Sequence, residues 1–141
     1  MTALFADTFF YLALLNPKDR FYSQAHDLAG SHDGIVVTTA WILTELADAL
    51  AQPSRRSVAH AFLRRLAEDP STTIVPPNHR IFEQAVRLYG DRPDKDWPLT
   101  DCISFVVMQN HGITEALTGD RHFEQAGFRA LFQSPPAPTS R

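Results

Sequence analysis

The chain has 141 residues, of which 44% are hydrophobic and 21% charged, and its formal net charge is -3 at pH 7. This length and composition are typical of one globular domain with a hydrophobic core. The negative charge argues against a uniformly basic nucleic-acid-binding protein, although a local basic patch remains compatible with it. The single cysteine, Cys102, excludes an internal disulfide and a zinc site built on cysteine pairs.

The opening segment, MTALFADTFFYLALL, lacks the basic start and the small-residue cleavage site of a secretion signal. The chain also has no apolar run long enough to span a bilayer. We therefore expect a cytoplasmic protein.

Short apolar runs alternate with longer segments of helical spacing. The predicted strands are ALFAD, GIVVT, TTIVP and EALTG, which begin at residues 3, 34, 72 and 115, with FRALF as a candidate fifth strand. The predicted helices cover residues 8–15, 19–28, 39–51, 54–68, 78–89 and 100–111. Strands that are apolar on both faces and alternate with helices predict an α/β fold, with a mostly parallel sheet of four or five strands covered by helices on both sides. Residues 1–132 are predicted to form this single domain, and the proline-rich tail 133–141 to be disordered.

Two aspartates follow predicted strands in the same topological position. Asp7 ends the first strand and precedes the helix TFFYLALL, and Asp120 follows the fourth strand in LTGDRHFEQAGF. Each alone could cap the next helix, because aspartate oxygens accept hydrogen bonds from the free N–H groups of a first turn. Ligands of open parallel sheets, however, bind beyond the carboxyl ends of the strands. Because both aspartates point to that edge, they are candidate site residues.

A third candidate, Glu45, lies in the helix TAWILTELADAL. It falls at the border of the apolar face around Ile42 and Leu46, whereas Asp48 falls nearly opposite that face. We expect Glu45 to be half-buried and turned toward the site. An ordinary solvated glutamate is the alternative.

The fourth candidate, Asp101, starts the helix in DWPLTDCISFVVMQNHGI, which is apolar nearly all round and is therefore predicted to be buried. Thr100 or Asp101 could be a simple N-cap. We expect Asp101 to face a packed interior edge, where the helix dipole favours its ionised form. Ser104, one turn on, is either a hydrogen-bond donor to the site or a core serine bonded to its own backbone.

A cluster of arginines in SRRSVAHAFLRRL spreads around the flanks and back of a predicted apolar stripe formed by Val58, Phe62 and Leu66. The simplest interpretation is a solvated helix face, and a phosphate-contacting surface is the alternative. The arginines are Arg55, Arg56, Arg64 and Arg65.

The four acids, with Thr8 and Thr118 beside the strand ends, resemble the acidic constellation of the PIN domain family of metal-dependent nucleases. The resemblance covers almost the whole chain. It rests on the strand ending in Asp-Thr, the acid inside WILTELADAL, the helix start LTDCISF and the strand-turn LTGDRHFEQAGF. The order and spacing are most similar to the VapC-like toxin ribonucleases of bacterial toxin and antitoxin pairs. This resemblance implies a three-layer α/β/α sandwich, a homodimer, a cognate antitoxin that covers the site, and acids that bind magnesium or manganese.

The residues themselves also indicate a metal. Four carboxylates within a few ångströms repel one another unless a cation neutralises them. Oxygen ligands without histidine or thiolate suit a hard cation such as Mg²⁺ or Mn²⁺ and disfavour zinc. None of the six histidines forms a paired zinc motif.

We therefore expect hydrolysis of RNA phosphodiester bonds, through in-line attack by a water that the metal activates. The predicted ligands, or orienters of metal-bound waters, are Asp7, Glu45 and Asp101, and Asp120 completes the cluster. Supporting hydrogen bonds are predicted from the hydroxyls of Thr8, Thr118 and Ser104. Gly119 would let the backbone approach closely beside Asp120.

Non-catalytic alternatives are a degenerate PIN-like RNA-binding domain and a receiver-like signalling domain. A receiver domain is disfavoured because one acid, not two, follows the first strand and no lysine follows the last. Retention of all four acids argues against degeneracy. A thiol nucleophile made of Cys102 and His111 is disfavoured because the two lie too far apart on one helix for a hydrogen bond.

The sequence does not identify the RNA that is cut. The loop RPDKDWP contains Asp94 and Asp96, which could extend the acidic site but are more simply interpreted as solvated turn residues beside prolines. Some large apolar groups in TFFYLALL and in the helices from 39 to 68 could form a dimer face or a groove for a partner helix, although ordinary core packing is the simpler interpretation for any single residue.

Overall fold

The computed structural model describes residues 2–133, so the tail predicted to be disordered lies outside the described residues apart from Gln133. Strands and helices alternate through the described part of the chain as the sequence pattern predicts. The strands are β1 (Leu4–Ala6), β2 (Val36–Thr39), β3 (Thr72–Val75), β4 (Glu115–Leu117) and β5 (Arg129–Ala130). The helices are α1 (Thr8–Leu15), α2 (Tyr22–Ser31), α3 (Ala40–Ala49), α4 (Pro53–Glu68), α5 (His79–Asp91), α6 (Leu99–His111) and α7 (Arg121–Gln125).

The strands form one sheet in the order β3-β2-β1-β4-β5, and every neighbouring pair is parallel. The predicted α/β class with a parallel sheet is confirmed, and FRALF supplies the fifth strand. The chain places β2 and β3 on one side of β1, then crosses to place β4 and β5 on the other side. The direction of winding therefore reverses between β1 and β4.

The core lies around β1 and α6. All of β1 is buried, and so is the unbroken run from Asp101 to Met108 in α6. A helix buried on every side requires apolar residues on every side, which CISFVVM provides. The helix stops at Gly112, whose φ of 67° is the left-handed conformation that glycine adopts without strain. Among the described residues, no helix has the length and apolar character needed to cross a membrane.

Two expectations about helices are corrected. The second helix begins at Tyr22, not at residue 19, because the Asp19 carboxylate accepts a hydrogen bond from the Phe21 N–H and forms a turn before the helix. On α4, Ala59 and Leu66 are buried whereas Val58 is 51% exposed, so Val58 does not belong to the core stripe.

A close contact fixes the loop after β4. A Cβ atom built on Gly119 would lie 2.6 Å from Cζ of Phe9, well inside contact distance. The Phe9 ring cannot move freely, because it packs against Phe21 at 4.9 Å and Phe132 at 5.3 Å between ring centroids. The close approach predicted beside Asp120 is thus one between the Gly119 backbone and an aromatic ring.

We predict that Gly119→Ala destabilises the folded protein by about 1–3 kcal/mol, because the added methyl group overpacks the site against Phe9. Gly90→Ala is the matched control: Gly90 lies in α5 with no atom within 4 Å of an added Cβ, so alanine there should be neutral or slightly stabilising. Urea unfolding of both variants measures the difference. Equal stability of Gly119→Ala and the wild-type chain would contradict the overpacking.

Candidate active site

The reversal of strand order between β1 and β4 creates a crevice at the carboxyl edge of the sheet. Asp7 directly follows β1, and the segment from Thr118 to Asp120 directly follows β4. The Asp7 N–H donates to the Leu117 carbonyl at 3.4 Å, which joins the two chain segments just past the strand ends. Open parallel sheets bind ligands at such a position.

The Asp7 carboxylate is directed into this crevice. Asp7 occupies the N-cap position of α1, yet its side chain makes no capping hydrogen bond. Its Oδ2 accepts a hydrogen bond from Thr118 Oγ1 at 2.8 Å instead, and the residue is 5% exposed. The helix-cap interpretation therefore does not account for Asp7, whereas its pairing with Thr118 across two strands does.

Asp120 combines both roles that the sequence left open. Its Oδ1 accepts a hydrogen bond from the His122 N–H at 2.9 Å and so caps α7. Its own N–H donates to Thr118 Oγ1 at 3.1 Å. Thr118 thereby links Asp120 to Asp7, and the carboxylate of Asp120 still reaches the crevice.

Asp101 lies in the first turn of α6 and is 7% exposed. The N-cap position is held by Pro98, so neither Thr100 nor Asp101 caps the helix. Burial at this edge matches the prediction. Ser104 donates its hydroxyl to the Thr100 carbonyl at 3.2 Å, which is the backbone-bonded alternative, and not to an acid of the site.

For Glu45, the structure corrects the expected burial but supports the expected position beside the site. The residue is exposed, so the prediction of a half-buried glutamate was wrong. Its Oε1 nonetheless accepts a hydrogen bond from the hydroxyl of Thr8, the residue after Asp7. Glu45 therefore lies at the open rim of the crevice, on the side of α1.

The sequence reasoning missed His122. Its Nδ1 lies 3.0 Å from Asp101 Oδ2 and 3.1 Å from Asp120 Oδ1. Ligand atoms of Asp101, Asp120 and His122 all lie within 4.8 Å of one another, a set that could hold a metal ion. The only signal in the sequence is that this histidine follows Asp120 by two residues on a short helix, and the predicted set of site residues did not include it.

The loop after α5 also contributes to this region. Asp94 and Asp96 are both exposed, as predicted, with side-chain exposures of 56% and 72%. Asp94 forms a two-pronged pair with Arg92 at 2.9 Å, which lowers the pKa of Asp94 to about 2. Asp96 has a different environment, because its Oδ1 lies 3.2 Å from His122 Nε2.

Burial and like charge perturb the acids strongly. Burial, opposed by the Thr118 hydrogen bond and reinforced by the charges of Glu45 and Asp120, raises the pKa of Asp7 to about 6. Burial, together with the charges of Asp7 and Asp120, raises the pKa of Asp101 to about 7. These mutual effects show that the carboxylates share one electrostatic environment. Sharing such a space is costly for ionised carboxylates without a compensating cation.

The pKa of His122 is raised as well, which favours the charged form of the imidazole. Partial burial lowers the pKa of His122, but the hydrogen bond with Asp101 and the charges of Asp120, Asp101 and Asp96 outweigh it and raise that pKa. The donor set of carboxylate oxygens with one imidazole nitrogen fits a divalent metal ion. Cys102 does not belong to the site, because it is fully buried and its burial raises the pKa of the thiol.

A parallel α/β sheet with clustered acids at its switch point is the architecture of the PIN-fold nucleases. The model of the PIN domain family matches residues 4–129 of this chain. The 23S rRNA-specific endonuclease VapC20 from two Mycobacterium tuberculosis strains, CDC 1551 / Oshkosh and H37Rv, is 31% identical over 130 residues, which cover 89% of this chain and 95% of VapC20. The chain belongs to the PIN domain family and is homologous to the VapC toxin ribonucleases, so the predicted resemblance is confirmed.

Solved structures agree with this assignment of the fold. The crystal structure of M. tuberculosis VapC20, described as a sarcin-ricin loop cleaving toxin, superposes with a TM-score of 0.84 at 26% identity and covers 91% of this chain and 98% of its own. FitAcB from Neisseria gonorrhoeae gives a TM-score of 0.66 at 20% identity, with 93% of this chain and 97% of its own covered. VapBC2 from Rickettsia felis gives 0.67 at 10% identity, with 92% and 97% covered. The last two likenesses concern the fold alone.

We predict that the metal-free protein loses stability as the pH rises from about 4 to about 7. The folded-state pKa values of Asp7 (about 6) and Asp101 (about 7) lie above 3.8, the ordinary value of an aspartate, so the folded chain holds these protons more tightly than the unfolded chain does. The raised pKa of His122 acts in the same direction. Over the upper part of this range, between about pH 5.5 and about pH 7, the loss should be on the order of 2 kcal/mol.

Urea unfolding in the presence of a chelator measures this slope. Asp7→Asn and Asp101→Asn should each reduce this dependence of stability on pH, because an asparagine side chain does not take up or release a proton in the folded or the unfolded state. Asp48→Asn is the matched control, since Asp48 is an exposed acid on α3. A stability that rises over this pH range would contradict the prediction.

Proposed function

We propose that this protein is a divalent-metal-dependent ribonuclease whose site is formed by Asp7, Glu45, Asp101 and Asp120, with Mg²⁺ or Mn²⁺ as the cofactor. The observation that carries the proposal is the convergence of carboxylates from β1, α6 and the β4 turn at one edge of the sheet. Homology to VapC ribonucleases supports the substrate class, and the donor atoms support a hard divalent ion.

The side chains around the acids position them for metal binding. Thr118 donates to Asp7 and accepts from the Asp120 backbone, so one hydroxyl orients two acids. The Thr8 hydroxyl orients Glu45 at the rim. The Ser104 hydroxyl is bonded to the backbone of its own helix, and not to an acid of the site as the predicted supporting role would require. Supporting hydrogen bonds of this kind commonly account for 10- to 100-fold in metal affinity or activity, as an order of magnitude.

A bound divalent ion supplies Lewis acidity, which lowers the pKa of a water and stabilises negative charge on the phosphate and departing oxygens. The acids of the chain line the crevice in which the RNA would react. Buried Asp7 and Asp101 form the floor, and exposed Glu45 stands where RNA enters. Arg121 follows Asp120 and has a side chain that is 76% exposed, so its guanidinium can contact a backbone phosphate beside the acids.

We further propose that the target is a structured loop of large-subunit ribosomal RNA, on the basis of the 31% identity to the 23S rRNA-specific endonuclease VapC20. Structured RNA is recognised mainly by shape and by unstacked bases in loops. A cytoplasmic location would place the protein with this substrate.

The first test is cleavage of a hairpin RNA with the sarcin-ricin loop sequence, and of intact ribosomes, by purified protein. Cleavage should require Mg²⁺ or Mn²⁺ and stop with chelator. Asp101→Asn should reduce the rate by more than about 100-fold, since removal of a direct ligand exceeds the usual effect of a supporting residue.

Asp48→Asn should cleave at the wild-type rate, and loss of cleavage in Asp101→Asn purified in the same way excludes a contaminating nuclease as the source of activity. A hairpin of scrambled loop sequence separates target recognition from catalysis. Metal-dependent cleavage that Asp101→Asn leaves intact would refute the proposed site.

We also propose a homodimer and a cognate antitoxin as partners. The sequence suggested α1, α3 and α4 for such contacts, but the exposed large apolar residues lie mainly on α5. They form a stripe of Phe82, Val86 and Tyr89, with exposures of 39%, 45% and 54%.

An apolar cleft between α1 and α4, lined in part by Leu12, Leu15, Leu50 and Val58, suits a helix of an antitoxin.

The α5 stripe is self-complementary. Glu83 and Arg87 flank it, so an antiparallel pairing of two α5 helices about a two-fold axis level with Ala85, next to Val86, would place Glu83 of one copy opposite Arg87 of the other. Val86→Asp should therefore yield a monomer, because it puts a charge into the centre of an apolar contact.

Light scattering after size-exclusion chromatography measures the mass. Val58→Asp is the matched control, because Val58 is 51% exposed on α4, and this variant should stay dimeric. A dimer that survives Val86→Asp but dissociates in Val58→Asp would move the dimer face to the α1–α4 cleft.

A further inference from the structure

The ring of His122 lies between two acids of the site and a third acid from the 92–98 loop. We propose that His122 Nδ1 is a ligand of the divalent ion, that Asp96 orients the imidazole ring through its other nitrogen, Nε2, and that the site therefore binds Mn²⁺ in preference to Mg²⁺. This inference rests on the proposed function, because it concerns the same metal site. It replaces the all-oxygen site expected from the acids with a mixed nitrogen and oxygen site.

The spacing of the ligand atoms supports this assignment. An octahedral ion with bonds of about 2.1 Å separates neighbouring ligand atoms by about 3 Å. His122 Nδ1 lies 3.0 Å from Asp101 Oδ2 and 3.1 Å from Asp120 Oδ1. A single N–H cannot point at both oxygens with good geometry, whereas one ion can bind all three atoms.

The other ring nitrogen of His122, Nε2, also has a carboxylate close to it. Asp96 Oδ1 lies 3.2 Å from His122 Nε2, within the distance of an ion pair, so a negatively charged oxygen is next to this nitrogen. A neutral imidazole with its proton on Nε2 presents a lone pair on Nδ1. Metal-binding histidines commonly have a carboxylate on the remote nitrogen, which fixes the ring and raises its basicity.

The position of Asp96 is fixed although its side chain is 72% exposed. Its neighbour Trp97 is buried and donates its ring N–H to Gln125 Oε1 in α7 at 2.9 Å. Arg121, also in α7, lies 3.8 Å from Asp96 Oδ2. The loop is thus joined to the short helix that carries His122, and the His122 side chain is held at 16% exposure.

A nitrogen ligand changes the preference among ions. Mg²⁺ favours oxygen ligands and gives up its waters reluctantly. For a site that contains nitrogen, affinity rises along the series of divalent transition metals, in which Mn²⁺ is the first member. The structure therefore predicts tighter binding of Mn²⁺ than of Mg²⁺.

The test is calorimetric titration of purified protein with Mn²⁺ and with Mg²⁺, together with pulsed electron paramagnetic resonance of the Mn²⁺ complex. In the wild-type chain, Mn²⁺ should bind at least about 10-fold more tightly than Mg²⁺, and the spectrum should show coupling to a directly bound ¹⁴N nucleus. His122→Ala should abolish that coupling and weaken Mn²⁺ binding by about 10- to 100-fold, with a smaller loss for Mg²⁺.

His79→Ala is the matched control, because the His79 side chain is 82% exposed on α5 and pairs only with Glu83 among the described ion pairs. It should leave both readouts unchanged. Asp96→Asn changes an exposed side chain, so it should fold, and it should weaken Mn²⁺ binding by about 10-fold. This variant and the wild-type spectrum keep the test decisive if His122→Ala does not fold.

A wild-type complex without ¹⁴N coupling, or unchanged Mn²⁺ affinity in both His122→Ala and Asp96→Asn, would overturn the role of His122. If Asp101→Asn still abolished Mn²⁺ binding in that case, the acidic metal site and the proposed nuclease would stand. A wild-type chain that binds no Mn²⁺ and cleaves no RNA would overturn both.

Discussion

The parallel pairing of β1 with β4 is the constraint on which the site depends. Phe5 pairs with Ala116 and Ala6 with Leu117, and the chain leaves both strands at the same level. This register brings Asp7 within hydrogen-bond distance of Thr118, a residue 111 positions away in sequence. Shifting one strand by a single residue would turn these side chains to the opposite face of the sheet. The buried core under β1 and α6 therefore determines the geometry of the acids.

That geometry is held against a considerable electrostatic cost. Two buried carboxylates at one sheet edge are stable only when they are protonated, hydrogen-bonded or bound to a cation. The protein uses hydroxyl and imidazole groups for this purpose, with Thr118 on Asp7 and His122 on Asp101. Such groups orient the acids without removing their capacity to bind an ion. Affinity for a cation is thus a consequence of how the fold places its acids.

The sequence predicted the order of the elements, the parallel sheet and the edge at which the acids lie, because these follow from hydrophobic periodicity and strand ends. It could not predict His122, whose position depends on a short helix capped by Asp120 and on how a loop containing Asp96 folds back. The exposure of Glu45 was also missed. Helical periodicity orients a residue relative to its own helix, but the burial of a border residue depends on which neighbouring elements cover it. Similarly, Val58 lies outside the core because α4 turns Ala59, and not Val58, toward the interior.

The dual use of Asp120 has an evolutionary consequence. The α7 helix has five residues, and its first turn depends on the Asp120 side chain. Asparagine caps helices about as well as aspartate, but it carries no charge. Because aspartate and asparagine codons differ by one base, a point mutation can remove a charge from the site while the helix keeps its cap. Inactive descendants of this protein could therefore persist as well-folded chains, and their inactivity would be visible only in the chemistry of one side chain.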